Sequence, residues 1–157
     1  MNQQAITVLD RPKTQKLHSP DNVIGFTLPQ YVNPVRTSQV IPISFSRPVD
    51  TIGRVIITTS SNDLTPVNLE LWIFRQEPPA QEDNTPFVPT EKELASVIKV
   101  VTFDFFKGSP SRVFQSREES MPAPLASVLW AVLVARNSFT PVSDERFIVS
   151  VLGVGPG

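Results

Sequence analysis

Sixteen prolines, spread from Pro12 to Pro156, constrain this chain more than any other feature. Each fixes φ and removes a backbone donor, so proline is tolerated at strand ends, edges and turns but breaks a helix interior. Scattered this widely along 157 residues, they predict an all-β domain. That length suits one sizeable core rather than two. The sequence has no cysteine, which excludes disulfides, thiol nucleophiles and thiolate metal sites.

Charge and hydropathy narrow the partners. Fourteen Lys and Arg against 15 Asp and Glu give a formal charge of -1, so no basic field exists to neutralise a polyphosphate backbone, and nucleic acid is not an expected partner. The amino terminus, MNQQAITVLDRPK, carries no leader pattern. The longest strongly apolar run, VLWAVLVA at 128–135, is far below the roughly 20 residues a membrane-spanning helix requires. A soluble chain made in a cytoplasm is the expectation, with no membrane partner.

Residues 1–21 sustain no period of 2 or 3.6, and Pro12 and Pro20 block a long helix. They read as an extended arm preceding a domain at 22–157. Either the arm is a disordered terminus, or it orders on a partner through its apolar Ile6, Val8 and Leu9 and its basic Arg11, Lys13 and Lys16. From Asn22 onward, strand-like runs follow one another: 22–29, 40–46 with Pro42 marking an edge or bulge, 52–59, 67–74, 97–105, 111–116, 128–136 and 146–153. VNLELWIF at 67–74 alternates, with Val67, Leu69, Leu71 and Ile73 on one face and Trp72 and Phe74 on the other, where cover is expected. VLWAVLVAR at 128–136 is apolar enough to be buried on both faces. About eight short strands separated by turn signals predict a β-sandwich, plausibly of jelly-roll type. The single helix signal is Thr90-Glu91-Lys92-Glu93, which has capping-box spacing.

Chemistry-bearing residues are sparse. His18, the only histidine, lies in the arm and reads as solvated, which leaves a His-dependent triad or a histidine metal site without a scaffold. The acid pairs Glu82/Asp83, Glu91/Glu93 and Glu118/Glu119 could in principle serve glycoside hydrolysis, but they fall in loops or a first helical turn, where solvation or the helix dipole accounts for them. No phosphate-binding glycine loop, nucleophile elbow or zinc-protease motif occurs. The aromatics Trp72, Phe87, Phe105, Phe106, Phe114 and Trp130 suit packing, or alternatively a sugar-stacking platform. No cofactor is implied.

The stretch at 71–103, LWIFRQEPPAQEDNTPFVPTEKELASVIKVVTF, leaves a strand, passes four prolines and returns to a strand. In it, Leu71, Phe74, Pro78, Asp83, Asn84, Phe87, Leu94 and Val97 fall in an order that resembles small β-sandwich virion proteins of tailed bacteriophages. The later SVLWAVLVARNSFTPVSDERFIVSVLG is similar too. The resemblance implies a non-enzymatic capsid decoration, or cement, protein. Such a protein is assembled in the host cytoplasm and sits on the capsid exterior, commonly as a homotrimer, bound to the major capsid protein. A carbohydrate-binding or host-attachment module of a head or tail fibre is the alternative. Prolines lower the entropy lost when a loop orders, and a long excursion in a compact domain is usually functional. The loop residues Pro78, Pro79, Phe87, Val88 and Leu94 are therefore candidates for a subunit interface, while the competing role for Phe87 and Leu94 is to plug their own core.

Overall fold

A computed structural model describes residues 2–10, 17–27, 37–38, 40–60, 67–79, 81, 83–107, 112–118, 120–140 and 145–156. The described chain is nearly all β: β1 (Asn2–Asp10), β2 (Asn22–Val23), β3 (Phe26–Thr27), β4 (Thr37–Ser38), β5 (Val40–Thr59), β6 (Leu69–Phe74), α1 (Glu91–Leu94), β7 (Val97–Lys107), β8 (Arg112–Ser116), β9 (Met121–Ala135) and β10 (Arg146–Val154). They form one sheet in the order β2-β9-β6-β7-β8-β5-β10-β1-β3-β4, and a further β9–β5 pairing closes β9-β6-β7-β8-β5 into a ring. The all-β expectation with one short helix holds. The strands close into a barrel-like ring, however, and do not divide into the two separately paired sheets of a sandwich.

The closure depends on β5. The segments 40–46 and 52–59, expected as two strands, are one 20-residue strand. Register shifts between Ser44 and Val49 and again before Thr51 bend it, as bulges do. Its first half pairs with β9 and its last residues with β8, while residues 51–59 also pair with β10. Pro42 lies in the half whose only ladder partner among the described residues is β9, in keeping with its expected place at an edge.

Inside the ring, strand periodicity builds the core. Leu69, Leu71 and Ile73 of β6 are buried, as are Leu129, Ala131, Leu133 and Ala135 of β9 and Phe147, Val149 and Val151 of β10. Gly153 and Gly155 let the end of β10 and the segment after it pack under the β5 bend. A Cβ on Gly155 would lie 2.2 Å from the Pro48 carbonyl oxygen. Because that neighbour is backbone, Gly155→Ala is expected to destabilise by about 1–3 kcal/mol, read as a lower urea midpoint.

The arm is corrected by the structure. Residues 2–10 are not a separate extension but strand β1, paired with β10 in unbroken register from Asn2↔Val154 to Asp10↔Arg146. Leu9 is fully buried and Ala5 nearly so, while Ile6 and Val8 face outward at 61% and 39% exposure. Gln3 and Thr7 point inward and use their polar atoms on β5. The Gln3 amide oxygen accepts from Arg47 N (2.8 Å) and its nitrogen donates to Arg47 O (3.0 Å), while the Thr7 hydroxyl donates to Pro42 O (3.0 Å). A side-chain amide thus does the work of a neighbouring peptide along the stretch of β5 that lacks a second ladder.

Candidate functional site: the proline-rich loop

Between β6 and α1 the chain leaves the ring and returns over its outer surface. Asp83, Asn84 and Thr85 are stitched to the segment that follows the first strand. The Asp83 carboxylate accepts from Gly25 N (2.7 Å), Asn84 N donates to Val23 O and Val23 N to Thr85 O (both 2.9 Å), and Phe87 N donates to Asp21 O (3.2 Å). Asn84 adopts φ 60°, in the left-handed region that asparagine tolerates better than most residues. Its side-chain oxygen accepts from Ser19 N and Asn22 Nδ2.

The loop covers an apolar patch on the outside of the ring. Phe74, Val23, Val132 and Val134 are buried there, with Trp72, Phe87, Val97 and Trp130 packed around them. The expected cover over the aromatic end of β6 is therefore supplied by the molecule itself, and β9 is buried on both faces over 131–135, while Val128, within the stretch expected to be buried, is 38% exposed. Phe87 meets Trp72 edge-on, with ring centres 4.9 Å apart at 64°, a geometry favoured by the ring quadrupoles. The Trp72 indole donates to Glu70 Oε1 (3.1 Å), which also accepts from Arg136 Nε (2.8 Å), and Arg136 reaches Asp21 at 3.1 Å. Asp21 O holds Phe87 N, so the circuit returns to its start. Partial burial works against charge on Arg136, but the hydrogen bonds and fields of Glu70 and Asp21 outweigh it and raise its pKa. Phe87→Ala is expected to cost about 2 kcal/mol and to shift Trp72 fluorescence to the red.

The remaining candidates are dispersed. Pro78 is buried and Pro79 exposed, while Val88 and Leu94 stand out at 73% and 46% exposure. Phe87 thus serves its own domain, whereas Val88 and Leu94 do not plug a core. Thr90 caps α1, its hydroxyl accepting from Glu93 N at 3.2 Å. Arg11, Lys13, Lys16, Glu82 and Glu119 lie outside the described residues, as do the side chains of Thr27 and Phe106. Of the acids, Asp83 fixes the loop, Glu118 pairs with Lys99 at 2.6 Å and Glu91 is exposed.

His18 is a second correction. Far from solvated, it is 1% exposed. Its backbone is bridged to Phe139 in both directions, its Nε2 donates to Asn22 O at 3.1 Å, and its Nδ1 lies 4.0 Å from Asp83 Oδ1. Sequence reasoning missed it because the segment that buries it, around Phe139, is 121 residues away.

Beside the loop, a cleft of about 480 Å³ opens between Pro78–Pro79 and the first turn of α1, with Gln76, Glu77, Glu93 and Ser96 at its walls. Its aromatic floor, Phe74, is fully buried. Trp72 and Phe87 spend their contact on each other rather than forming an open stacking platform. Among the described residues, no three His, Cys, Asp or Glu side chains converge as a metal site requires. No protein-family model matches the chain, and a search of curated proteins finds no match.

Proposed function

We propose that this chain is a non-enzymatic virion structural protein, a capsid decoration protein that binds the outside of a tailed-phage shell and bridges neighbouring major capsid subunits. One observation carries the reading: the loop holds Val88, between Phe87 and Pro89, at 73% exposure while its base is fixed by hydrogen bonds to residues 21–25. An apolar side chain kept in water by a prefixed loop loses little entropy when a partner covers it. Leu94, exposed on the helix that follows, extends the same kind of surface. Bridging contacts of this sort add across many copies, so each can be weak.

The test is co-sedimentation with expanded shells that lack this protein. The native chain is expected to bind saturably, and Val88→Asp to weaken binding about tenfold or more while leaving the thermal midpoint unchanged. Absence of saturable binding by the native chain sinks the reading. The cleft beside Pro78–Pro79 favours a second reading, a carbohydrate-binding or host-attachment module. Glycan-dependent NMR shifts confined to Gln76 and Ser96 would establish that reading instead.

A further inference from the structure

The base of the proline-rich loop closes around the one histidine of the chain. To either side of His18, Ser19 N donates to Asn84 Oδ1 (2.9 Å) and Asn84 Nδ2 donates to Leu17 O (3.4 Å), while the His18 backbone is bridged to Phe139. The imidazole has no exposed surface and lies against the Phe139 ring, with ring centres 5.2 Å apart. Asn22 O is a carbonyl and can only accept, so Nε2 carries a proton. Nδ1 is therefore the atom at which the ring gains or loses its second proton, and it faces Asp83 Oδ1 at 4.0 Å. The same oxygen accepts from Gly25 N at 2.7 Å. Asp83 thus joins the loop to the segment after His18 through one bond already made, and to His18 itself through a contact whose strength depends on a proton.

We propose that His18 and Asp83 form a proton-operated latch, which fastens the base of the proline-rich loop as pH falls through the histidine range. With Nδ1 unprotonated, a lone pair faces a carboxylate, and two acceptors gain nothing by approaching. With Nδ1 protonated, the ring donates toward an acceptor at each nitrogen, and the 4.0 Å separation, too long for a hydrogen bond, can close to a charge-assisted one. Burial opposes charge on the ring, but the pair that forms is neutral as a whole, and Asp83 keeps part of its hydration at 26% side-chain exposure. Among the described residues, the other charges on the elements packed against His18 are matched with each other. Asp21 is paired with Arg136 (3.1 Å), and Arg112, over the Phe139 ring, with Glu145 (2.8 Å). Asp83 is thus the charge that the second proton answers to. That proton is held more tightly with the loop docked than undocked, so docking gains strength below the histidine range and loses it as pH rises through that range. The latch acts on the loop whether or not the chain binds a shell.

NMR on the native chain tests it, because a single histidine gives a single imidazole titration. The His18 ring is expected to titrate at higher pH in the folded chain than in the same chain unfolded in urea. Amide protection factors at Asn84 and Phe87, which donate across the loop base to Val23 O and Asp21 O, are expected to rise about tenfold between about pH 8 and about pH 5. Asp83→Asn leaves an oxygen to accept from Gly25 N but removes the charge, so in it the rise is expected to vanish and the His18 titration to move to lower pH. The native titration decides by itself, whether or not the variant folds. A His18 ring that titrates at or below its position in the unfolded chain, protection that is independent of pH in the native chain, or a rise that survives in Asp83→Asn overturns the latch.

Discussion

A chain lacking residues 1–10 is expected to lose its cooperative unfolding transition. Deleting β1 uncovers β10 along nine paired positions, leaving a long, partly apolar edge open to solvent. It removes Leu9 from the core, worth about 2–3 kcal/mol of burial, and the Gln3 and Thr7 contacts that satisfy β5 at Arg47 and Pro42. It also removes the Asp10 position to which β3 pairs. Against a total stability of about 5–15 kcal/mol, the combined loss is decisive. Leu9→Ala alone is expected to cost about 2–5 kcal/mol, and Ile6→Ala, on the exposed face of the same strand, no more than about 0.5 kcal/mol. Urea unfolding followed by tryptophan fluorescence reads all three. A truncated chain that unfolds cooperatively at the native midpoint would restore the view of residues 1–10 as an appendage.

The reason β1 is hard to see in the sequence is physical. NQQAITVLD alternates, but with the parity blurred: Ala5 and Leu9 face inward along with polar Gln3 and Thr7, while apolar Ile6 and Val8 face outward. Polar side chains at inward positions normally argue against a strand. Here they are satisfied by backbone groups of β5, a partner about 40 residues away that no local pattern reveals. Strands whose inward positions are apolar, β6 with Leu69, Leu71 and Ile73 and β10 with Phe147, Val149 and Val151, are legible in the sequence, and so is the Thr90 cap of α1.

The bend of β5 is illegible for a related reason. SRPVD between its halves has the composition of a turn, yet the chain there runs on as strand through bulges. In the loop, the anchoring role of Phe87 is legible as an aromatic among prolines, but its direction is not. Trp72 lies 15 residues before it, and the Glu70–Arg136–Asp21 circuit that orients the indole joins three separate segments. The outward apolar positions of β10 and β5 are visible as alternation, but only the register places them beside those of β1.

The second large effect is expected at a pair that composition and motif leave unmarked. Arg112 and Glu145 are each 1% exposed, with Arg112 Nη2 donating to Glu145 Oε2 at 2.8 Å. The guanidinium also lies 5.9 Å from the ring centre of Phe139, the residue whose backbone bridges His18. Glu145→Ala leaves the buried Arg112 guanidinium without its carboxylate partner, so the expected loss is about 3–5 kcal/mol. The double change Arg112→Met with Glu145→Leu removes both charges while keeping much of the volume, and is expected to recover most of that loss. The two outcomes together separate the penalty of an orphaned charge from the value of the pair itself. High salt should leave the Glu145→Ala deficit unchanged, because ions screen buried charges poorly. The exposed Arg117–Asp104 pair offers the contrast, since breaking it should cost no more than about 1 kcal/mol, and less as salt rises. A deficit for Glu145→Ala below about 1 kcal/mol that fades with salt would mean that water reaches Arg112 and that the end of the ring at β8 is open rather than sealed by Phe139.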